Sequence, residues 1–167
     1  MTPITPQDMM LRIGAALVFG AIIGAERQMG KHPAGFRTMT LIAIGSAAFV
    51  LVVLEVGNAR PELSTDAEAQ ATSRVLQGLT TGIGFLGAGT IVRNDKSVQG
   101  LTTAAAVWCI AAVGAACGLG QLMLAATVTG AALVTLVVMK IAEMPLHRAG
   151  GSSHDTDAPK HNGGAPL

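Results

Sequence analysis

The sequence has little charge and no tyrosine, and these absences exclude an ordinary soluble domain. Only 13% of its 167 residues are Asp, Glu, Lys or Arg, whereas a soluble domain carries about 25%. Residues 97–139 contain no charged side chain, and 50% of the whole chain is hydrophobic. A helix needs about 20 apolar residues to cross the hydrocarbon core of a bilayer. The uncharged stretch is long enough for two such helices, so the chain is predicted to be an integral membrane protein.

Cysteine and histidine are also scarce, which leaves little material for catalysis or metal binding. Cys109 and Cys117 lie in one apolar segment, about 12 Å apart along a helix axis, which is too far for a disulfide. The C-terminal histidines His147, His154 and His161 are predicted to be solvated rather than to bind a metal. No catalytic residue, cofactor or metal site is predicted, and the chain is not predicted to be an enzyme. The net charge of +1 gives no indication of nucleic-acid binding.

The apolar segments predict an all-α, polytopic membrane protein with about five transmembrane helices. Small residues (Gly and Ala) are frequent in these segments and are expected to pack the helices together. The predicted spans are Met9–Ala25, Thr38–Leu54, Val75–Val92, Val98–Cys117 and Met123–Met139. Residues 1–144 are predicted to form the transmembrane domain, and residues 145–167 a disordered cytoplasmic tail that is rich in Gly, Pro and His.

The positive charges predict the orientation of these spans. Eight Lys and Arg residues fall on the side that holds the loop after the first span, against three on the opposite side. Because cytoplasmic loops carry the excess of Lys and Arg, the N-terminus is predicted to lie outside and the C-terminus in the cytoplasm. Arg12, near the start of the first span, is expected to extend its guanidinium to the outer interface. Trp108 lies near the middle of the fourth span and is expected to pack between helices.

A glycine-rich segment, "GIGFLGAG" at 82–89, formally contains the dinucleotide-binding pattern G-x-G-x-x-G. That pattern must follow a strand and precede an acid by about 20 residues, and neither condition holds here. Two interpretations are left open. The glycines permit close helix packing, as the pairs Gly20/Gly24 and Gly114/Gly118 would in other spans, or they kink or unwind the third span beside a cavity. The residues concerned are Gly78, Gly82, Gly84, Gly87 and Gly89.

Charged residues cluster at the predicted cytoplasmic ends of the spans. They either anchor the helix ends, as the positive-inside preference requires, or contact a partner. Arg37 is predicted to pair with Glu26 across the short first loop and to fix the first hairpin. The charged residues at this rim are Glu26, Arg27, Lys31, Arg37, Arg93, Asp95 and Lys96.

Three long motifs resemble the MgtC/SapB family of bacterial inner-membrane proteins. They are "GAERQMGKHPAGFRT" from Gly24, "GIGFLGAGTIVR" from Gly82 and "GLTTAAAVWCIAAVGAACGLG" from Gly100. The resemblance covers about Leu11 to Glu143 and implies four or five spans in the bacterial inner membrane. It also implies a link to survival in low magnesium and, in pathogens, to virulence. Met39 and Thr102 depart from the family pattern, and the C-terminal tail is short where many members carry a soluble domain.

The resemblance implies a non-catalytic regulator linked to magnesium homeostasis, which acts on other membrane proteins such as the proton-driven ATP synthase. Direct Mg²⁺ transport is the alternative, although no acid lies inside any predicted span. Direct transport would require an oligomer in which the backbone carbonyls of Gly82–Gly89 line an ion filter. The predicted partners are the lipid bilayer and other membrane proteins, with a homo-oligomer left open and no nucleic acid. The candidate interaction residues are Glu26, Arg27, Gly35, Arg37, Thr38, Arg93, Asp95, Gly100, Thr102 and Thr103.

Overall fold

The computed structural model describes residues 4–59, 65–94 and 97–149 and confirms the all-helical class. Five helices and one short hairpin account for most of these residues. In chain order they are α1 (Pro6–Met29), α2 (Phe36–Asn58), α3 (Thr65–Gly89), β1 (Val92–Asn94), β2 (Ser97–Gln99), α4 (Leu101–Gly118) and α5 (Leu122–Ala149).

Three of the described helices, α1, α2 and α4, are long and apolar enough to cross a membrane. The apolar part of α5, Leu122–Val138, is shorter. Helix α3 differs because its first turns carry Asp66, Glu68 and Arg74, which leaves only the segment 75–89 uncharged. Five crossings therefore stay a prediction for α3 and α5, whereas the number of helices matches the sequence prediction.

Local sequence explains where α1 begins. Thr5 precedes the helix in an extended conformation, and its hydroxyl accepts a hydrogen bond from the Asp8 backbone N–H at 3.2 Å. The Asp8 carboxylate in turn accepts from the Thr5 backbone N–H at 3.3 Å, and Pro6 occupies the first turn. This capping box satisfies two backbone donors that a helix start leaves without partners.

Helices α1, α2 and α4 pack against one another through small residues. Ala43 of α2 lies at the centre of this packing and is fully buried. A Cβ added to Gly20 of α1 would lie 2.9 Å from the Ala43 Cβ, and one added to Gly114 of α4 would collide with the Ala43 carbonyl. Gly24 likewise allows α1 to approach the first turn of α2, because a Cβ there would lie 2.7 Å from the Phe36 Cα. The close packing expected at Gly20, Gly24 and Gly114 is thus made inside the chain.

The region between α3 and α4 differs from the prediction. The third span was predicted to end at Val92 and the fourth to begin at Val98, but these residues lie in strands. β1 and β2 pair antiparallel, with Arg93 opposite Val98. Polar residues at the ends of both strands favour a turn over a continued helix. Helix α4 then begins only after Gly100, whose φ of +89° suits glycine and disfavours other residues.

Backbone contacts divide the chain into two units, Met1–Leu133 and Val134–Leu167. The described part of the second unit is the C-terminal half of α5, which continues through Pro145 to Ala149. The sequence placed residues 145–149 in the tail, so the helix extends further than predicted. Residues 150–167, including His154 and His161, lie outside the described residues, and the disordered tail stays a prediction.

Candidate functional site

The structure brings three of the predicted site residues together, at the end of the bundle where α1 ends and α4 begins. We call Glu26, Arg27 and Thr103 the Arg27 cluster. Arg27 is only 2% exposed, and its Nη2 donates a hydrogen bond of 2.8 Å to the Thr103 Oγ1, which is equally buried. Glu26 beside it is 9% exposed. Arg27 therefore joins α1 to α4 inside the protein, and it is not the exposed interfacial anchor that the charge pattern allowed.

The Arg27 cluster also holds polar atoms without hydrogen-bond partners. The Glu26 Oε2 and the Arg27 Nε are both buried, and neither has a partner in the described part of the chain. A charged group buried without its hydrogen bonds costs free energy, whereas opposite charges on adjacent residues offset part of that cost. No pattern in the sequence indicates this burial, because Glu26 and Arg27 have the position expected for the polar end of a membrane span.

The residues that open α2 do not form the predicted ion pair. Arg37 is exposed, and in the described part of the chain no ion pair or hydrogen bond joins it to Glu26. The prediction was wrong because Glu26 turns into the bundle. Thr38 is also exposed, whereas Gly35 precedes α2 and is buried against the Gln28 side chain. The first hairpin is instead held by the close approach of α1 to α2 at Gly24.

The remaining rim residues fall into exposed and buried positions. Thr102 is exposed, one residue before the buried Thr103, and Arg93 is exposed on β1. Gly100 makes a close contact with the end of α3, since a Cβ there would collide with the Thr90 carbonyl oxygen and lie 3.3 Å from the Ile91 Cα. Asp95 lies outside the described residues. Gly100 therefore fixes the hairpin connection against α4, while Arg93 and Thr102 remain available for contacts.

The glycines of α3 occupy an exposed helix face and not an in-chain seam. A Cβ added at Gly78, Gly82, Gly84 or Gly89 would meet no atom within 4 Å. Only Gly87 is buried, where a Cβ would lie 3.6 Å from the Ala104 carbonyl oxygen. The close packing predicted for the other four glycines is thus not made with the described residues. The segment is not unwound either, because α3 is a continuous helix through Gly89, and a kink stays a prediction.

Helical spacing explains why Gly87 is buried and the other α3 glycines are exposed. Ile83 and Gly87 are four residues apart and face α4, so positions on the opposite side of α3 point away from the bundle. Gly78, Gly82, Phe85 and Gly89 follow one another at intervals of four, three and four residues, and Phe85 is 81% exposed. We call Gly78, Gly82, Phe85 and Gly89 the open α3 face; Gly84 is also exposed but lies on another side of the helix. The open α3 face is a shallow surface of small residues beside one large aromatic ring.

Arg12 and Trp108 differ in their surroundings from the sequence prediction. The Arg12 Nη1 donates a hydrogen bond of 2.9 Å to the carbonyl of Gly118, the last residue of α4. A cation at a helix C-terminus is stabilised by the helix dipole, so Arg12 ties α1 to α4 rather than only reaching for the interface. Trp108 is 52% exposed and borders a groove between α3 and α4, so it is not enclosed between helices.

The described residues contain no group of three or more His, Cys, Asp or Glu side chains that could together hold a metal ion. The described cysteines are both free, with Cys117 buried and Cys109 half-buried on α4.

Comparison with known proteins gives one consistent result. The MgtC family model matches residues 13–144. Protein SrpB of Synechococcus elongatus is 45% identical over 126 residues, which cover 70% of this chain and 67% of SrpB. Protein MgtC of Salmonella typhimurium is 43% identical over 121 residues, or 71% of this chain and 48% of that protein. Protein MgtC of Brucella abortus is 42% identical over 118 residues, 70% of this chain and 45% of that protein.

The chain thus spans about half the length of the MgtC proteins of Salmonella typhimurium and Brucella abortus. No solved structure matches the chain.

Proposed function

Because the chain belongs to the MgtC family of membrane proteins, we propose that it is a non-catalytic regulator that binds another membrane protein through the open α3 face. The magnesium link comes from the resemblance of its motifs to that family. The regulator acts when magnesium is scarce, and its target is a membrane complex such as the proton-driven ATP synthase.

The observation that carries this proposal is the exposure of small residues on α3. Helices associate in lipid through close van der Waals contact, because lipid tails solvate apolar side chains as well as another protein does. Glycines whose added Cβ meets no described atom leave room for a helix of another protein to approach the α3 backbone. Phe85 beside them offers a large ring that a partner can cover.

Direct Mg²⁺ transport lacks comparable support. A carbonyl-lined filter at 82–89 requires an unwound backbone, whereas the carbonyls of a continuous α3 accept hydrogen bonds within the helix. Mg²⁺ flux through the purified protein would therefore overturn the proposal that the chain is a regulator.

The first test compares two glycine-to-leucine variants for growth in limiting magnesium. Gly82→Leu places a bulky side chain on the open α3 face, and Gly14→Leu is the matched control, because a Cβ at Gly14 also meets no atom within 4 Å. We expect Gly82→Leu to abolish complementation of a deletion strain while its thermal stability in detergent stays that of the wild type. Gly14→Leu should complement. Equal growth of both variants contradicts the proposal.

A photo-crosslinking experiment identifies the contact. A photoreactive phenylalanine at position 85 should form an adduct with a membrane protein, and Gly82→Leu should remove that adduct. The same group at Leu41, which is 68% exposed on α2, is the control position. Mg²⁺ flux into liposomes that contain only the purified chain, lost on Gly82→Leu, would show transport instead.

We also propose that the protein lies in the bacterial inner membrane with its N-terminus outside and its C-terminus in the cytoplasm. The excess of Lys and Arg at the end where α1 finishes supports this orientation. Single cysteines at Lys31 and Asn58, in a chain without Cys109 and Cys117, should differ in their labelling by an impermeant thiol reagent. Asn58→Cys should react in intact spheroplasts and Lys31→Cys only after lysis; the reverse pattern would invert the topology.

A further inference from the structure

A cavity of about 730 Å³ lies at the end of the bundle where α1 begins. It is formed by the start of α1, the last turns of α2, the first turns of α3 and the residue after α4. Its lining residues are Ile4, Arg12, Val53, Leu54, Gly57, Asn58, Glu68, Ala69, Thr72, Ser73, Leu76 and Leu119. The volume falls in the range of small-molecule sites, about 300–1,000 Å³. The regulatory role proposed above makes no use of this cavity.

The cavity wall carries one cation that the fold holds in place. Arg12 uses its Nη1 to bond the Gly118 carbonyl. Its guanidinium also packs on the turn after α4, because a Cβ added at Gly120 would lie 3.0 Å from both the Arg12 Cζ and Nη2. Arg12 makes no other hydrogen bond with the described residues, so most of its five N–H donors have no acceptor among them, although the Asp8 carboxylate one turn earlier on α1 interacts with Arg12 electrostatically. A fixed guanidinium with spare donors suits a phosphate group.

The cavity wall also carries one anion. The Glu68 carboxylate lies against the last turn of α2, since a Cβ added at Gly57 would be 3.3 Å from the Glu68 Oε1. A helix C-terminus carries partial negative charge, so this corner of the cavity is electronegative. In the described part of the chain, Glu68 forms no ion pair with Arg12 or with another cation. Two opposite charges thus border one cavity without neutralising each other.

Apolar side chains form much of the remaining wall, notably Val53, Leu54, Leu76 and Leu119. Asn58 and Leu119 mark the ends of their helices, so the cavity lies at the level where a bilayer passes from headgroups to hydrocarbon. A ligand that matches all three features of the wall carries a phosphate, a cationic amine and hydrocarbon in one molecule.

We propose that this cavity binds a zwitterionic aminophospholipid of the phosphatidylethanolamine type. Arg12 holds the phosphate, Glu68 accepts hydrogen bonds from the primary ammonium, and the acyl chains leave along the apolar wall. Phosphatidylcholine offers the same phosphate but no N–H donor for Glu68. Phosphatidylglycerol offers the phosphate but no cation, and free phosphoethanolamine lacks the hydrocarbon.

The test is native mass spectrometry of the purified full chain in detergent, titrated with these four compounds. The three lipids carry identical acyl chains. Because a hydrogen bond between charged groups is stronger than one between neutral groups, phosphatidylethanolamine should bind about tenfold more tightly than phosphatidylcholine. Free phosphoethanolamine should not bind at the same concentrations. Equal affinity for the two zwitterionic lipids, tighter binding of phosphatidylglycerol, or equally tight binding of phosphoethanolamine would each overturn the proposal.

Charge-removing variants assign the two ends of the headgroup. Glu68→Gln should abolish the preference for phosphatidylethanolamine and leave phosphatidylcholine binding unchanged, whereas Asp66→Asn, at an exposed position outside the cavity, should behave as wild type. Arg12→Gln should weaken both lipids. Since Arg12 also supports α4, Ser73→Trp provides a second variant that narrows the cavity and keeps both charges. Binding that Ser73→Trp leaves unchanged, or a lipid preference that survives Glu68→Gln, would refute the site.

Discussion

Replacing Gly114 with alanine should separate α2 from α4 and destabilise the bundle. The added Cβ would collide with the carbonyl oxygen of Ala43 and lie 2.8 Å from the Cβ of Ser46. Carbon atoms pack at about 3.5–4.0 Å, so the helices must move apart locally by about 0.7 Å or more. Gly118, one turn further along α4, has the same close approach to Ala47 and Val50 and cannot follow the movement without loss of contact.

The loss of stability follows from the contacts between α2 and α4 that this movement weakens. A gap of about 0.5–1 Å forfeits roughly a quarter to a half of the dispersion energy between the facing atoms. Overpacking of a filled core costs about 1–3 kcal/mol, and alanine in place of glycine returns at most about 1 kcal/mol through helix propensity. Gly114→Ala should therefore lower the free energy of unfolding by up to about 2 kcal/mol.

The matched control is Gly84→Ala at an exposed position of α3, where an added Cβ meets no described atom within 4 Å. Only the helix-propensity term applies there, so this variant should be as stable as the wild type or slightly more stable. Unfolding in mixed micelles of rising SDS content, followed by far-UV circular dichroism, measures both variants in the same system. Equal shifts of the unfolding midpoint in the same direction for both variants would mean that Gly114 is not a close-packing position.

Three further substitutions test the other contacts. Thr103→Val should destabilise the protein by about 1.5–3 kcal/mol in the same unfolding assay, because it removes a buried hydrogen bond to a charged group, whereas Thr102→Val at the adjacent exposed position should be neutral. Gly100→Ala should cost about 1–3 kcal/mol, since alanine tolerates neither φ of +89° nor the contact with Thr90, and proteolysis of the loop before α4 should accelerate. Arg12→Gln should lower the thermal midpoint more than Arg74→Gln, which is exposed on α3; equal midpoints would mean that the bond to Gly118 contributes nothing measurable.

The class of the fold follows from composition and periodicity alone. Uncharged runs of about 20 residues leave the backbone no alternative to helices in a membrane, and α1, α2 and α4 lie where those runs lie. The start of α1 is also local, because the capping box needs only Thr5 and Asp8. The boundaries of α3 were harder to predict. The helix begins in a charged segment and ends at Gly89, three residues before Val92. The hairpin that follows has no hydrophobic periodicity by which it could be predicted.

The candidate site depended on contacts that a linear sequence does not contain. Gly20, Gly82 and Gly114 are equivalent in the sequence as small residues within apolar runs. Only the folded chain separates Gly20 and Gly114, which lie against Ala43, from Gly82, which lies on an open face. In the same way, the sequence predicts both Arg27 and Arg37 to be charged residues at helix ends. In the structure Arg27 is buried and hydrogen-bonded to Thr103, whereas Arg37 is exposed.

The sequence by itself determined that this chain is a helical membrane protein, because hydrophobicity is a property of each segment and needs no partner. It also determined the family, because the motifs are long and local. Only the tertiary structure decided which glycines pack against a neighbouring helix, which charges are buried, and which helix face and which cavity are left open. These features depend on the distances between residues far apart in the chain, such as Arg12 and Gly118 or Arg27 and Thr103, and those distances exist only once the helices have packed.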